Sequence, residues 1–339
     1  MLTVEGNMKR LIACLAAMVG IITLFGCANM LKDIAPIAGA SESAGQLGPV
    51  VTTPNTQQAP TTSKSTSQQP AELALSAVSL TGPAGDLRLP EITGLNIKLD
   101  QPSGSAEYLD SQGRTMLLVD AISLKDGSQQ SAQLKQLLDQ IYGPASPYLQ
   151  NSVYPRFHFP IQGVQAGFFA IDKNLTASQV LLLKSALELF SRPMFASMQP
   201  DLFDPSIAYI LIDKIAGDTA GLTYAGTGVV ELDRRDLFGN KYLLASVIAH
   251  EGSHVLQGPE TDNADCAEQL SREVGNQTIP ADFYQWDGTT LLQAIKDRQI
   301  GAYHVSLWML FRLGVKDTAW IVQAIKTGTV NGGSVVNCK

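Results

Sequence analysis

The stretch VIAHEGSHVLQGPE, Val247 to Glu260, decides how the rest of the chain is read. It holds two of only four histidines, His250 and His254, with Glu251 beside the first. An apolar run, LLASVIA, precedes them, and Gly258-Pro259 follows. Together these predict a helix from about Lys241 to Gln257, closed by a glycine and a proline that cannot continue it. Histidines four apart on a helix lie on one face, one turn apart. Both imidazoles can then reach one ion at zinc–nitrogen distances of about 2.0–2.1 Å. Glu251 projects nearby, where a carboxylate can take a proton from a water acidified by the metal.

Working outward, the segments before the helix alternate. TASQVLLLKSALELF opens with Thr176 and Gln179 at capping-box spacing and continues as an apolar helix. IAYILIDKI, Ile207 to Ile215, reads as a buried strand. LTYAGTGVVEL, Leu222 to Leu232, reads as a second strand, rich in β-branched residues but interrupted by Gly226 and Gly228. After the motif, helical patterns run over Thr290–Ile300, Ala302–Leu313 and Thr318–Thr327. The order helix, strand, strand, helix, further helices predicts an α+β fold.

HEGSH resembles the motif of the zincin metallopeptidases, and the strand–strand–helix order around it resembles their core. The resemblance covers about Asn174 to Leu313. It implies a zinc ion, peptide or protein substrates, and an edge strand beside the motif helix on which extended substrate pairs. TYAGTGVVEL is the candidate edge; its glycines allow either close backbone approach or a bulge or turn. The metzincin branch is excluded, because Gln257 stands where its glycine would be and no third histidine follows nearby. The gluzincin branch takes a third ligand from a later glutamate. DNADCAEQLSREVGN, Asp262 to Asn276, offers Glu268 and Glu273, and Glu273 has the spacing closer to the thermolysin-like pattern. That pattern also has an aspartate four residues after the ligand; Gln277 stands there if Glu273 is the ligand, and Arg272 if Glu268 is. The resemblance further implies a downstream His or Tyr that donates to the oxyanion. His304 or Tyr303 in GAYHVSLWML is the candidate, although both also fit a core helix.

Upstream of this region, residues 71–170 read as a mixed α/β region. LRLPEITGLNIKLD and TMLLVDAISL have strand character, and RFHFPIQGVQAGFFAID reads as strands again. SAQLKQLLDQIYGP places Leu134, Leu137, Leu138 and Ile141 at helical spacing. His158 is read as an ordinary strand histidine. Residues 171–339 are expected as a zincin-like metallopeptidase domain, to which residues 71–170 stand as a separate domain, an inhibitory segment or part of the same core.

The N-terminal segment MKRLIACLAAMVGIITLFGCANM has a basic start at Lys9 and Arg10 and an uncharged apolar run to Phe25, the layout of an export signal. LFGC resembles a lipobox, which implies cleavage before Cys27 and acylation of that cysteine. Ala28 then favours the outer membrane by resemblance to Gram-negative lipoproteins. Residues 1–27 are thus expected as a lipoprotein signal, and 28–70, a polar stretch without apolar period, as a disordered tether. Export would leave Cys266 and Cys338 in an oxidising compartment, where a disulfide between them is expected. The chain of 339 residues carries a net charge of −7 and no Lys/Arg-rich run, so nucleic acid is not an expected partner. The alternative to an envelope peptidase is a non-catalytic zincin-fold lipoprotein that acts as a binding or scaffold protein.

Overall fold

The computed structural model describes residues 78–334, apart from short internal stretches at 83–84, 126–128, 151–152, 172–175, 213–214, 216–219, 225–227, 234–238, 259–270 and 331–332. The expected signal, lipid site and tether therefore lie outside the described residues, as do Cys266, Cys338 and Glu268.

Ten strands precede the motif helix. They are β1 (Val78–Gly82), β2 (Gly85–Leu89), β3 (Asn96–Asp100), β4 (Ser105–Leu109), β5 (Thr115–Ser123), β6 (Val153–His158), β7 (Phe168–Ala170), β8 (Ala208–Ile212), β9 (Gly221–Tyr224) and β10 (Val229–Asp233). β1 and β2 form a separate hairpin; the other eight form one sheet in the order β3-β4-β5-β6-β7-β8-β10-β9. Antiparallel pairing gives way to parallel at β7–β8 and β8–β10, and returns to antiparallel at β10–β9. The longer helices among the described residues are α1 (Gln129–Tyr142), α2 (Ala177–Leu187), α3 (Lys241–Gln257), α4 (Gly288–Lys296), α5 (Ala302–Arg312) and α6 (Ala319–Thr327). The fold is α+β.

The described residues on either side of residue 170 share one sheet. β7 ends at Ala170 and pairs with β8, so the sheet runs unbroken from the earlier region into the later one. One large core joins Leu80, Tyr108 and Phe157 to Ile248, Trp308 and Ile325. The expected single strand over Leu222–Leu232 is a hairpin, with β9 and β10 paired antiparallel. Gly228 has φ +67°, so the interruption is a turn, where glycine takes the left-handed backbone without penalty.

Strand alternation divides the molecule into layers. On one face Ile122, Tyr154, Ile210 and Leu222 meet α1 through Leu134, Leu138 and Ile141. On the other, Val119, Phe157, Phe168, Val230 and Leu232 join the core that contains α2 to α6. α3 runs in the middle of this second layer, and from Leu243 to His254 every residue is buried. Neighbours on all sides explain why its apolar residues do not form a single stripe. Asn240 caps it, accepting from the Tyr242 amide at 2.8 Å. The Thr176–Gln179 capping box of α2 is present as expected.

Candidate metal centre

α3 ends at Gln257, before Gly258 at φ +74°, so the histidines occupy its last two turns. His250 and His254 both turn towards a third residue, Glu273, which follows the segment 259–270. His250 Nε2 is 3.5 Å from Glu273 Oε2, and His254 Nε2 is 3.4 Å from Oε1. All three side chains are buried, and their ligand atoms lie within 4.8 Å of one another. The group can hold a metal ion. Glu273, one of the two expected glutamates, lies here; the other, Glu268, is outside the described residues.

The donor chemistry of the outer atoms fixes what the inner atoms offer. His250 Nδ1 is 3.2 Å from Ser306 Oγ on α5, and Ser306 Oγ in turn donates to the Ser246 carbonyl at 3.4 Å. A carbonyl only accepts, so the serine proton goes to it and the serine oxygen accepts from His250 Nδ1. His254 Nδ1 is 3.2 Å from Gln257 Oε1, an acceptor only. Each ring therefore carries its proton on Nδ1 and turns the Nε2 lone pair towards Glu273. Glu273 Oε2 is buried with no hydrogen-bond partner. Lone pairs facing a buried, unpartnered carboxylate oxygen are repulsive until a cation lies between them. Burial alone pushes the Glu273 carboxyl up; His254 and His250 beside it, when they carry charge in place of a metal, outweigh burial and hold the group well below the usual carboxylate range. A metal cation would act in the same direction.

Glu273 is placed by two glycines. A Cβ on Gly301 would meet the Glu273 backbone at 2.4 Å, and one on Gly275 would meet Ile300 and Gly301 at 2.6 Å. The backbone that carries the glutamate lies directly on the start of α5.

Glu251 points to the sheet edge. Leu222 and Tyr224 of β9 face the α1 side, so Gly221 and Thr223 face α3. The Thr223 hydroxyl is 2.8 Å from Glu251 Oε2 and 2.9 Å from the Glu251 carbonyl. A Cβ on Gly221 would lie 2.6 Å from Glu251 Oε1, so the carboxylate packs where a side chain would otherwise be. Among the described residues β9 pairs with β10 alone, and its outer edge forms the end of the sheet.

His304 is occupied elsewhere. Its Nε2 donates to the Thr278 carbonyl at 2.6 Å, and its Nδ1 accepts from the Gly301 amide at 3.2 Å. Both nitrogens are committed to backbone, which leaves no ring N–H for an oxyanion; the core reading of this histidine is the one the geometry favours. Burial holds its pKa below the usual histidine value. Tyr303 is closer to the site, its ring edge-on to His250 at 4.9 Å between centroids. Gln277, at the family's aspartate position, makes no side-chain hydrogen bond to a ligand; Ser306 and Gln257 hold the histidines instead. His158 is 3.1 Å from Asp120 beside Arg156, far along the sheet on the other face.

Sequence reasoning missed Ser306, Gln257, Thr223 and Gly221. Only Gln257 had a local signal, three residues after the second histidine on the same helix.

No protein-family model matches the chain, and comparison with curated proteins and with solved structures finds no match either.

Proposed function

We propose that the protein is a zinc-dependent peptidase of the zincin type, with His250, His254 and Glu273 as metal ligands and Glu251 as general base. The observation that carries this reading is the buried His250–His254–Glu273 group with its inward-facing lone pairs. In a tetrahedral zinc site with bonds of about 2.0–2.1 Å, neighbouring ligand atoms are roughly 3.3–3.4 Å apart. The His250 Nε2–Oε2 and His254 Nε2–Oε1 separations of 3.5 and 3.4 Å, each to a different oxygen of Glu273, are close to that length. Charge-assisted N–H···O bonds would be shorter, about 2.7–2.9 Å. Two neutral imidazoles and one carboxylate are also the donor set that suits zinc.

Zinc held by these three residues would lower the pKa of a water towards 7. Glu251 is the residue that would accept a proton from a water held there. The Thr223 hydroxyl holds the carboxylate in place. The outer edge of β9 offers backbone donors and acceptors to an extended peptide. Substrates are peptides or proteins, and the expected location is the bacterial envelope, with Cys27 lipidated and the outer membrane as the anchor; the sequence Met8–Ala28 supports this. Among the described residues no helix is long and apolar enough to cross a membrane.

The test is Glu251→Gln. The variant should bind one zinc per chain by plasma mass spectrometry and lose chelator-sensitive cleavage of a peptide library; retained hydrolysis would refute the mechanism. One observation favours a second reading, a non-catalytic binding or scaffold lipoprotein: the backbone occupies both nitrogens of His304, the expected oxyanion donor. Chelator-sensitive cleavage by the wild type separates the two.

A further inference from the structure

We infer that Gln257 is a positioning residue: it ties the orientation of His254 to the placement of Glu273 and thereby sets the affinity of the metal site. This rests on the metal-centre reading above. Gln257 is buried, and its amide is used at both ends. Oε1 lies 3.2 Å from His254 Nδ1, and Nε2 donates to the Arg272 carbonyl at 3.3 Å. The Arg272 carbonyl can only accept, so the amide nitrogen must face it, and the oxygen must then face His254. That fixes the ring proton on Nδ1 and leaves Nε2 for a metal.

The connection also runs the other way. Arg272 Nη2 donates to the His254 carbonyl at 3.3 Å. Arg272 is bonded directly to Glu273. The turn that bears one ligand and the residue preceding another are therefore joined by two hydrogen bonds, and the Gln257 side chain touches both the ring and the Arg272 backbone. Gln257 and Arg272 thus hold together two turns that lie fifteen residues apart in the chain.

Few side chains could replace it. Glutamate accepts from His254 but has no donor for the Arg272 carbonyl. Methionine keeps the shape and has neither an N–H nor a strong acceptor. Removing a partner of a ligating histidine typically costs about 10–100-fold in metal affinity.

The experiment uses the purified full-length chain, wild type and Gln257→Met. Zinc affinity is measured by competition with a chromophoric chelator. The state of His254 is read by 15N NMR on zinc-loaded, histidine-labelled protein; with four histidines in the chain, each ring can be assigned by substitution. The expected result is a protonated Nδ1 and a metal-bound Nε2 in the wild type, and a 10–100-fold weaker site in Gln257→Met with unchanged circular dichroism. Equal affinities in the two proteins would overturn the inference and leave the metal centre standing. Zinc bound through Nδ1 of His254 would also overturn it, and needs no variant. A wild type that binds no zinc would remove the metal centre and this inference together.

Discussion

The Thr223 hydroxyl lies 2.8 Å from Glu251 Oε2, joining the last strand of the sheet to the second residue of HEGSH on α3. Glu251 is buried, and this bond helps to keep it aimed. Thr223→Val keeps the shape and removes the donor. A hydrogen bond to a charged group contributes about 1.5–3 kcal/mol, so hydrolysis should fall by roughly tenfold or more while zinc content stays at wild type. Thr223→Ser should restore most of the rate. Paired kinetics and metal analysis of the two variants check this.

Gly221 leaves room for the same carboxylate. In Gly221→Ala the new Cβ would overlap Glu251 Oε1 and Cγ at 2.6 and 2.7 Å. The carboxylate end of Glu251 can move more easily than the strand, so stability should fall by only about 1–3 kcal/mol. Activity should suffer more than stability. Denaturant melts alongside peptide cleavage measure both.

Gly301 is different, because backbone faces it. A Cβ there meets Glu273 C and O at 2.4 Å, and neither can swing aside. Gly301→Ala should push Glu273 out of register and weaken zinc binding, even where the fold survives. Chelator competition reads this directly.

Metal should also stabilise the fold. Free zinc at 1,000 times its dissociation constant adds about 4 kcal/mol by mass action. Melting should rise by several degrees with zinc and fall back with a chelator. His250→Ala should show neither change.

His304 gives a pH signature separate from the site. Burial lowers its folded pKa. In the unfolded chain it takes a proton near the ordinary value of about 6.5, while the folded form resists. Between those two values the unfolded state binds more protons, so stability rises with pH there. The contribution is complete above about 6.5 and is lost as pH falls below it. His304→Gln, which can still accept from Gly301 and donate to Thr278, should flatten this slope. Denaturant titrations at several pH values, compared with wild type, test it.

Much of this was legible along the chain. The helix over Lys241–Gln257 and its glycine stop follow from local apolar pattern, as do the three later helices and the capping box at Thr176. Glu273 could be reached because ligand spacing leaves a trace in sequence. Ser306 could not: it is fifty-six residues from His250, and nothing in WML-type helical periodicity marks one serine as facing a ring. Thr223 and Gly221 were hidden for a similar reason. Their roles depend on which face of β9 meets α3, and that depends on a hairpin that looked like one strand. The sheet's continuity through residue 170 was equally invisible, because pairing between β7 and β8 spans some forty residues and has no local period.

That continuity has a consequence for the strands that precede residue 171. β3 to β7 are five of the eight strands, and β7 covers one side of β8. A cut after Ala170 that released everything before it would strip that cover and expose the buried backbone of β8, two strands from the one that holds Glu251. Strands β3 to β7 are thus built into the sheet that carries the site, and their removal would cost the fold its support at β8.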